Sequence, residues 1–558
     1  MIRNAIRGAA ALGLVLLAGA CTEKALTVSN PNAGDKTKAL SAPADLESFL
    51  GSYYKRWHTG MYGSLSNVNG MASVMSFEDF STLSNNCMGQ RVGLPRAAND
   101  NSIGNLCGPE QNRVYAIENE VQRVASSVLA QLNTTGYTLG SPAQDARGKS
   151  FAQFLRGLSL GYIALTYDST AVIDETTKAE DPGTLVGYQD AMAASMDAFQ
   201  KSIDLMNACS AAGSAAACTL PATWIPSTNT FTAPEFIKLV RSYRARLRAN
   251  VARTPAERAA VNWDLVIADA QNGITADHDN ITSTTTGPSN SWVAQLDGAG
   301  TWHQMTPFII GMGDVSGNYA AWTALPVDKR GPDFFMVTPD LRFPQGSTRA
   351  AQQADFANSS CAGASTPCKR YYVNRPNGSD PGAQLTWGGS EYDFTRFHSW
   401  RVSGDGTSQN GKLVFFTVAE LDMLQAEGMI RKGNFAGAAA LINKTRVKNG
   451  LPAITAFDAT SPVPGGLGNC VPTVPTALTG PLVCGNMMEA MKWEKRLETQ
   501  YTHYMAWFLD SRGWGDLPQG SGLQWATPYA DLQVRNKAVY SLGGGTLPSS
   551  AAKGTYGW

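Results

Sequence analysis

Trp292, Trp302, Tyr319, Trp322, Trp387 and Trp400 fall in one long irregular stretch, residues 276 to 413. Flat aromatic faces suit the apolar faces of sugar rings, because stacking excludes water without demanding a fixed hydroxyl pattern. Asn290, Gln295, Asp297, Gln304, Asp314 and Asn318 lie beside them and could read hydroxyls through hydrogen bonds. We take Trp292, Trp302, Tyr319 and Trp322 as the expected ligand face. Residues 64 to 112, with Asn85, Asn86, Gln90 and Arg91, form the expected other edge of a pocket. The competing role for each ring is that of a core plug packed on helices.

Catalytic motifs are harder to find. The sequence holds no G-x-S-x-G elbow, H-E-x-x-H helix, Walker loop or dinucleotide fingerprint. Asp277-His278-Asp279-Asn280 offers oxygen and nitrogen donors but lacks the length and distal Glu of a calcium loop, so it reads as a solvated turn. The run from Lys238 to Arg258 is rich in arginine; with Phe236, Leu239, Val240, Tyr243, Leu247 and Val251 on the buried face, its arginines read as a solvated or inter-helix charged face. No catalytic residue, metal ligand or cofactor is expected. A pair of carboxylates for glycoside hydrolysis is invisible in sequence, which keeps a secreted hydrolase open as an alternative.

Nine cysteines include Cys21 and eight others. The eight fall into sequence-local couples within Gly-, Ser-, Asn- and Pro-rich segments, predicting loop-closing disulfides Cys87–Cys107, Cys209–Cys218, Cys361–Cys368 and Cys470–Cys484 in an oxidising compartment. Zinc is disfavoured, since no C-x-x-C occurs and the five histidines are scattered. Basic and acidic residues balance at 45 each, so no overall field favours nucleic acid or an anionic membrane.

The elements that must position these groups are helical. Thr417 and Glu420 form a T-x-x-E capping box ahead of Val418, Leu421, Leu424 and Gly428. Gly433 and Asn434 turn the chain, Ala438, Ala439, Leu441 and Ile442 give a close-packing face, and Gly450 ends the second helix. Earlier helices are predicted at 42–63, 110–133, 146–168, 187–208, 232–252 and 255–272, with capping boxes at Thr232/Glu235 and Thr254/Glu257. A last long helix is predicted over 486–512. Helix pairs with small residues at their crossings point to a mainly α, tetratricopeptide-like architecture with long loop insertions and little β structure.

At the start, Arg3 and Arg7 precede a short apolar run that ends at Leu-Ala-Gly-Ala-Cys21, too short to cross a bilayer and readable as a lipoprotein signal peptide with Cys21 as the lipidated residue. Simple secretion is the alternative there.

Three ordered pieces carry a family resemblance. They are A-E-L…L-x-A-E-G…G-N-F-A-x-A…I-N-x-x-R…N-G-L over 419–451, the segment holding Glu494, Arg496, Glu498 and Asp510 to Leu517, and Leu26-Thr-Val-Ser-Asn-Pro-Asn32 after Cys21. Together they resemble the SusD/RagB family of surface lipoproteins. The match departs at Gln500 to His503 and near Arg512-Gly513-Trp514, where local charge pairing is expected to differ. The resemblance implies a signal peptide (1–20), a lipid-anchored segment (21–41) and one SusD-like helical domain (42–558). It implies a non-catalytic nutrient-binding protein held on the outer membrane by lipid, facing the exterior, and capturing a glycan, oligosaccharide or peptide. It further implies a SusC-like TonB-dependent outer-membrane barrel as partner, over which this chain acts as a lid. A tetratricopeptide-like assembly scaffold is the remaining alternative, and it would bury all the loop tryptophans.

Overall fold

The computed structural model describes residues 42–64, 67–80, 87–296, 304–331, 334–358, 370–375, 388–401, 409–466 and 468–558. Backbone contacts divide the chain into Met1–Phe49 and Leu50–Trp558. The main helices are α1 (Pro43–Tyr62), α2 (Val68–Met75), α3 (Gly108–Leu132), α4 (Pro142–Thr166), α5 (Tyr188–Ala212), α6 (Ala233–Asn250), α7 (Pro255–Ala260), α8 (Trp263–Gln271), α9 (Val418–Arg431), α10 (Phe435–Lys448), α11 (Met487–Thr499) and α12 (Ala506–Trp514). Strands pair only two at a time among the described residues. The architecture is mainly α, with helix pairs α3–α4, α4–α5, α6–α8, α8–α9 and α9–α10 packed in succession. No described helix is long and apolar enough to cross a membrane.

Local chemistry sets most helix ends. Thr417 Oγ1 accepts the Glu420 N–H at 3.1 Å, and Asn434 Oδ1 accepts the Gly437 N–H at 3.1 Å. Gly433 and Gly450 take φ of +77° and +81°, as turn and C′ glycines must. Ser141 Oγ accepts the Gln144 N–H, so α4 starts at Pro142 rather than at 146. The box at Thr232 does not form. Thr232 makes no side-chain cap bond, and Glu235 pairs instead with Lys238 at 2.8 Å. At Thr254 the cap does form, through the Glu257 N–H at 3.2 Å. Close crossings need missing side chains: a Cβ on Gly428 would lie 3.0 Å from Ile267, so this residue lets α8 approach α9.

Two predicted helices are broken. The one expected over 255–272 is α7 plus α8, because the Asn262 side chain caps a fresh start by accepting the Leu265 N–H at 3.2 Å. The one expected over 486–512 is α11 plus α12. Between them Tyr501 and Met505 both take φ of 55°. Distant side chains impose this turn: Glu78 Oε1 accepts the Tyr501 N–H at 3.0 Å, Asn69 Oδ1 accepts the Met505 N–H at 2.8 Å, and Tyr62 Oη accepts the Tyr504 N–H at 2.8 Å.

The core is aromatic and ionic together. Trp57 packs edge-on against Tyr162, Tyr243 and Phe415 at 5.5, 6.0 and 6.1 Å. Arg246, fully buried, donates through Nε and Nη2 to both oxygens of Glu420, each at 2.7 Å. Arg258 does the same to Glu427 at 2.9 and 2.6 Å and reaches Asp510 at 3.1 Å, which Lys495 also meets at 2.7 Å. Arg496 and Lys492 share Asp516 at 2.5 and 3.2 Å. The arginines of α6 and α7 are thus the inter-helix charges of the sequence reading, tying these helices to α9 and α12. His503, where the resemblance departs, lies 3.6 Å from Glu420, and burial holds its imidazole down at about 3.

The insertion 276–413 is zipped at its ends by β2 (His278–Thr282) pairing antiparallel with β3 (Gly411–Phe416). Asp277-His278-Asp279-Asn280 is therefore not a solvated turn. His278, Asp279 and Asn280 are buried; Asp279 accepts from Ser227 and from the Thr228 N–H at 3.1 and 2.8 Å, and Asn280 accepts from Tyr54 at 3.0 Å. Disulfides form at Cys87–Cys107, Cys209–Cys218 and Cys470–Cys484. Cys361 and Cys368 lie outside the described residues, as does Cys21.

Glu118 is the core's exception. It is fully buried on α3, and neither carboxyl oxygen has a hydrogen-bond partner among the described residues. Burial pushes its pKa well above the ordinary 4.5. The folded state therefore holds this proton more tightly than the unfolded chain does, and stability falls as pH rises above about 4.5. We expect Glu118→Gln to gain about 1–3 kcal/mol at neutral pH and to lose that advantage toward pH 4.5. Thermal melts of both proteins across this range check it; parallel curves would refute it.

Candidate functional site

The rings expected to face a ligand are core. Trp292 is fully buried, 5.1 Å edge-on from Tyr501. Tyr319 is fully buried and donates its hydroxyl to the Phe308 carbonyl at 2.9 Å. Trp322, 5% exposed, stacks on Tyr319 at 6.2 Å and donates Nε1 to the Gly331 carbonyl at 3.3 Å. Trp400 is buried and bonds Thr282 Oγ1 at 2.8 Å. Trp302 and Trp387 lie outside the described residues. A ring with no exposed face cannot stack on a sugar from solvent, so the ligand-face expectation for Trp292, Tyr319 and Trp322 is corrected, and Trp292, Trp322 and Trp400 are buried as the assembly-scaffold alternative expects. The irregular stretch uses large rings, each with one satisfiable polar atom, to plug the helices beneath it.

Asn290, Gln304 and Asp314, among their polar neighbours, are turned inward as well. Asn290 caps the Val293 N–H at 3.0 Å, and Asp314 accepts the Tyr319 and Val337 N–H groups at 3.0 and 2.9 Å. Gln304 is buried; Asn318 is exposed and bonds the Phe335 carbonyl at 2.8 Å. Asp297 is outside the described residues, with Asn85 and Asn86.

These plugs nonetheless back a groove. Trp322 meets Phe308 edge-on at 5.0 Å, Phe308 meets Trp558 at 5.5 Å, and Phe77 stacks on Phe308 at 4.4 Å. Trp558 then lines a cavity of about 700 Å³ together with Leu94, Pro95, Arg96, Val327, Leu478, Pro518, Gln519 and Lys553 and the glycines 520, 544, 545 and 557. That size and this mix of apolar walls with a few polar groups suit a small-molecule or oligomer ligand.

Several devices hold the groove open. The Cys87–Cys107 disulfide closes the loop that carries Leu94 to Arg96. Arg96 donates to the Met75 carbonyl at 3.0 Å, at the end of α2. Strand β1 (Ala98–Asn99) pairs with β4 (Leu542–Gly543), bringing Gly544 and Gly545 to the rim. Gly544 takes φ of +82°, and a Cβ there would sit 2.7 Å from the Ala98 nitrogen, so the strand pairing needs a glycine. Trp558 is pinned by donating Nε1 to the Asp516 carbonyl at 2.8 Å.

Another cavity, of about 170 Å³, shares Lys553 with the groove and is lined also by Arg253, Pro255, Arg512 and Leu523. Neither cavity is lined by an aspartate or glutamate, nor by a histidine or cysteine. The pair of carboxylates that glycoside cleavage uses is thus missing from both. Among the described residues no cluster of His, Cys, Asp and Glu could hold a metal ion.

Leu94, Pro95 and Arg96 line this groove, but none of the residues named for the edge over 64–112 does so: Arg91 is buried and donates to the Ala98 carbonyl, and Asn85 and Asn86 lie outside the described residues. Sequence reasoning missed Trp558, Lys553 and the Pro518–Gly520 turn. The Gly543-Gly544-Gly545 run was the one available signal, since consecutive glycines mark a backbone that others approach closely.

No family model matches this sequence, and no curated protein does. Solved structures do. A SusD superfamily protein from Parabacteroides distasonis ATCC 8503 aligns over 89% of this chain and 98% of its own, with a TM-score of 0.50 at 9% identity. The fold is that of the SusD superfamily. A SusD superfamily protein from Bacteroides vulgatus ATCC 8482 aligns over 86% of this chain and 89% of its own, with a TM-score of 0.49 and 13% identity. A structure with xylogluco-oligosaccharide aligns over 89% and 85%, at 0.46 and 9%. Within the SusD fold of this chain, the groove lies where the C-terminal residues 518–558 meet the loop after α2.

Proposed function

We propose that this chain is a non-catalytic nutrient-binding protein of the SusD type. It is anchored through Cys21 in an outer membrane and takes a glycan or oligosaccharide into the groove around Trp558. It then hands the ligand to a SusC-like TonB-dependent barrel over which it acts as a lid. The observation that carries this reading is an open groove of about 700 Å³ on a SusD fold, with an aromatic and prolyl wall and no carboxylate pair. Fold alone does not assign function; the groove supplies a place to bind and none of the groups expected for glycosidic cleavage. Binding through apolar contact and a few hydrogen bonds favours modest affinity, which suits release to a transporter.

The test is capture of the full chain, tagged at its C-terminus, from detergent-solubilised outer membranes. We expect a large TonB-dependent barrel at near-equal amount by mass spectrometry. A chain recovered alone, or one that shortens a glycan in a cleavage assay, would refute the proposal.

A further inference from the structure

Lys553 lines both cavities. Arg96 lines the larger with it and Arg253 and Arg512 the smaller, and all three guanidinium groups are buried. Main-chain carbonyls hold them. Arg96 donates to Met75 at 3.0 Å, Arg253 to Ala164 and Tyr167 at 2.7 and 2.8 Å, and Arg512 to Leu523 and Asn250 at 2.8 and 3.0 Å. Elsewhere in the same core Arg246, Arg258 and Arg342 each grip a carboxylate. Here none of the three guanidinium groups grips a carboxylate among the described residues: Glu257 accepts the main-chain N–H of Arg253 at 2.9 Å, and Asp168 acts on Arg253 only through its field. Among the described residues, Nε and Nη1 of Arg253 have no hydrogen-bond partner, and neither does Nε of Arg96 or Arg512.

Four cations against the two carboxylates Glu257 and Asp168, in a chain whose charges balance at 45 each, form a local concentration of positive charge. Low-dielectric walls focus such a field into the cleft. Neutral sugars would make no use of it.

Resting on the glycan reading above, we propose that the two cavities sharing Lys553 bind an acidic oligosaccharide, with its carboxylate or sulfate groups at Lys553 and the Arg253–Arg512 pocket and its ring faces along Pro95 and Trp558. Lys553 is exposed, so it is the charge a ligand meets first; the buried arginines act through their field.

The experiment is calorimetric titration of the full chain in detergent with polygalacturonate, carrageenan, xyloglucan and polyglutamate oligomers. We expect an acidic glycan to bind about tenfold tighter than xyloglucan at low salt, with the preference collapsing near 0.5 M sodium chloride, where charges beyond about 4–5 Å are screened. Lys553→Glu should lose about tenfold toward the acidic glycan while Lys553→Arg retains it, with unchanged melting curves showing both fold. Polygalacturonate alone would assign carboxylates, carrageenan alone sulfates. Equal binding of xyloglucan, indifference to Lys553→Glu, or tighter binding of polyglutamate would each overturn the proposal. Barrel capture without acidic preference would sink this inference and leave the uptake role; acidic preference without a barrel would do the reverse.

Discussion

Glu427→Ala is expected to cost about 3–5 kcal/mol of unfolding free energy, because it strands a guanidinium in the core. Glu427 and Arg258 are both fully buried, and their two parallel bonds join α7 to α9. Asp510 alone, at 3.1 Å and already shared with Lys495, cannot replace a two-point carboxylate. Burial alone would raise the Glu427 carboxyl, yet Arg258, with Arg431 and Lys495 beside it, outweighs burial and holds the group down at about 2, below the ordinary 4.5. A depressed folded value means stability that is present above pH 4.5 and is lost only as pH falls toward 2. The wild-type protein should therefore lose stability across that window more steeply than the variant does. Denaturant titrations followed by circular dichroism at several pH values test both claims. The double change Arg258→Met with Glu427→Met should recover much of the loss, since apolar groups of similar size often replace a buried pair at little cost. A single variant within about 1 kcal/mol of wild type would show that the pair is not what ties these helices.

The second large effect is on the groove wall. Replacing Cys87 and Cys107 together with serine frees a loop of 20 residues and should cost about 3 kcal/mol through the unfolded-chain entropy. The loss should be local in character. Hydrogen exchange across residues 88–106 should accelerate, and ligand affinity should fall with it, because Leu94 to Arg96 would no longer be fixed against α2. Unchanged exchange there would mean that the Arg96 bonds to Met75 and its neighbours suffice on their own.

What could be foreseen from the sequence follows the range of the forces involved. Thr417, Asn434, Gly433 and Gly450 act on atoms within four residues of themselves, and their helix ends fall where expected. The disulfides at Cys87, Cys209 and Cys470 reach only 20, 9 and 14 residues ahead, and they too were legible. The break between α11 and α12 was not. It is set by Glu78 and Asn69, which lie 423 and 436 residues from the groups they accept. The same holds for the site. Nothing local marks Trp322 as a ring that backs the groove or Trp558 as one that lines it; the packing of Phe308 between them decides. The buried acids and arginines of the resemblance were visible as residues, but their partners lie on other helices and no spacing announces them.

The turn at Tyr501 and Met505 also bears on how the chain is made. Glu78 and Asn69 bond the backbone of that turn, Asn99 bonds the Gln524 carbonyl at 3.1 Å, and Asn101 bonds that of Thr527 at 2.9 Å. Synthesis runs from the N-terminus, so these early side chains must wait for more than 400 further residues before any of the four bonds can close. Such widely separated pairings are entropically slow to find. A nascent chain stalled before residue 500 would thus carry a complete set of helix pairs beside unsealed polar groups, which makes it a target for quality-control proteases until its final stretch arrives.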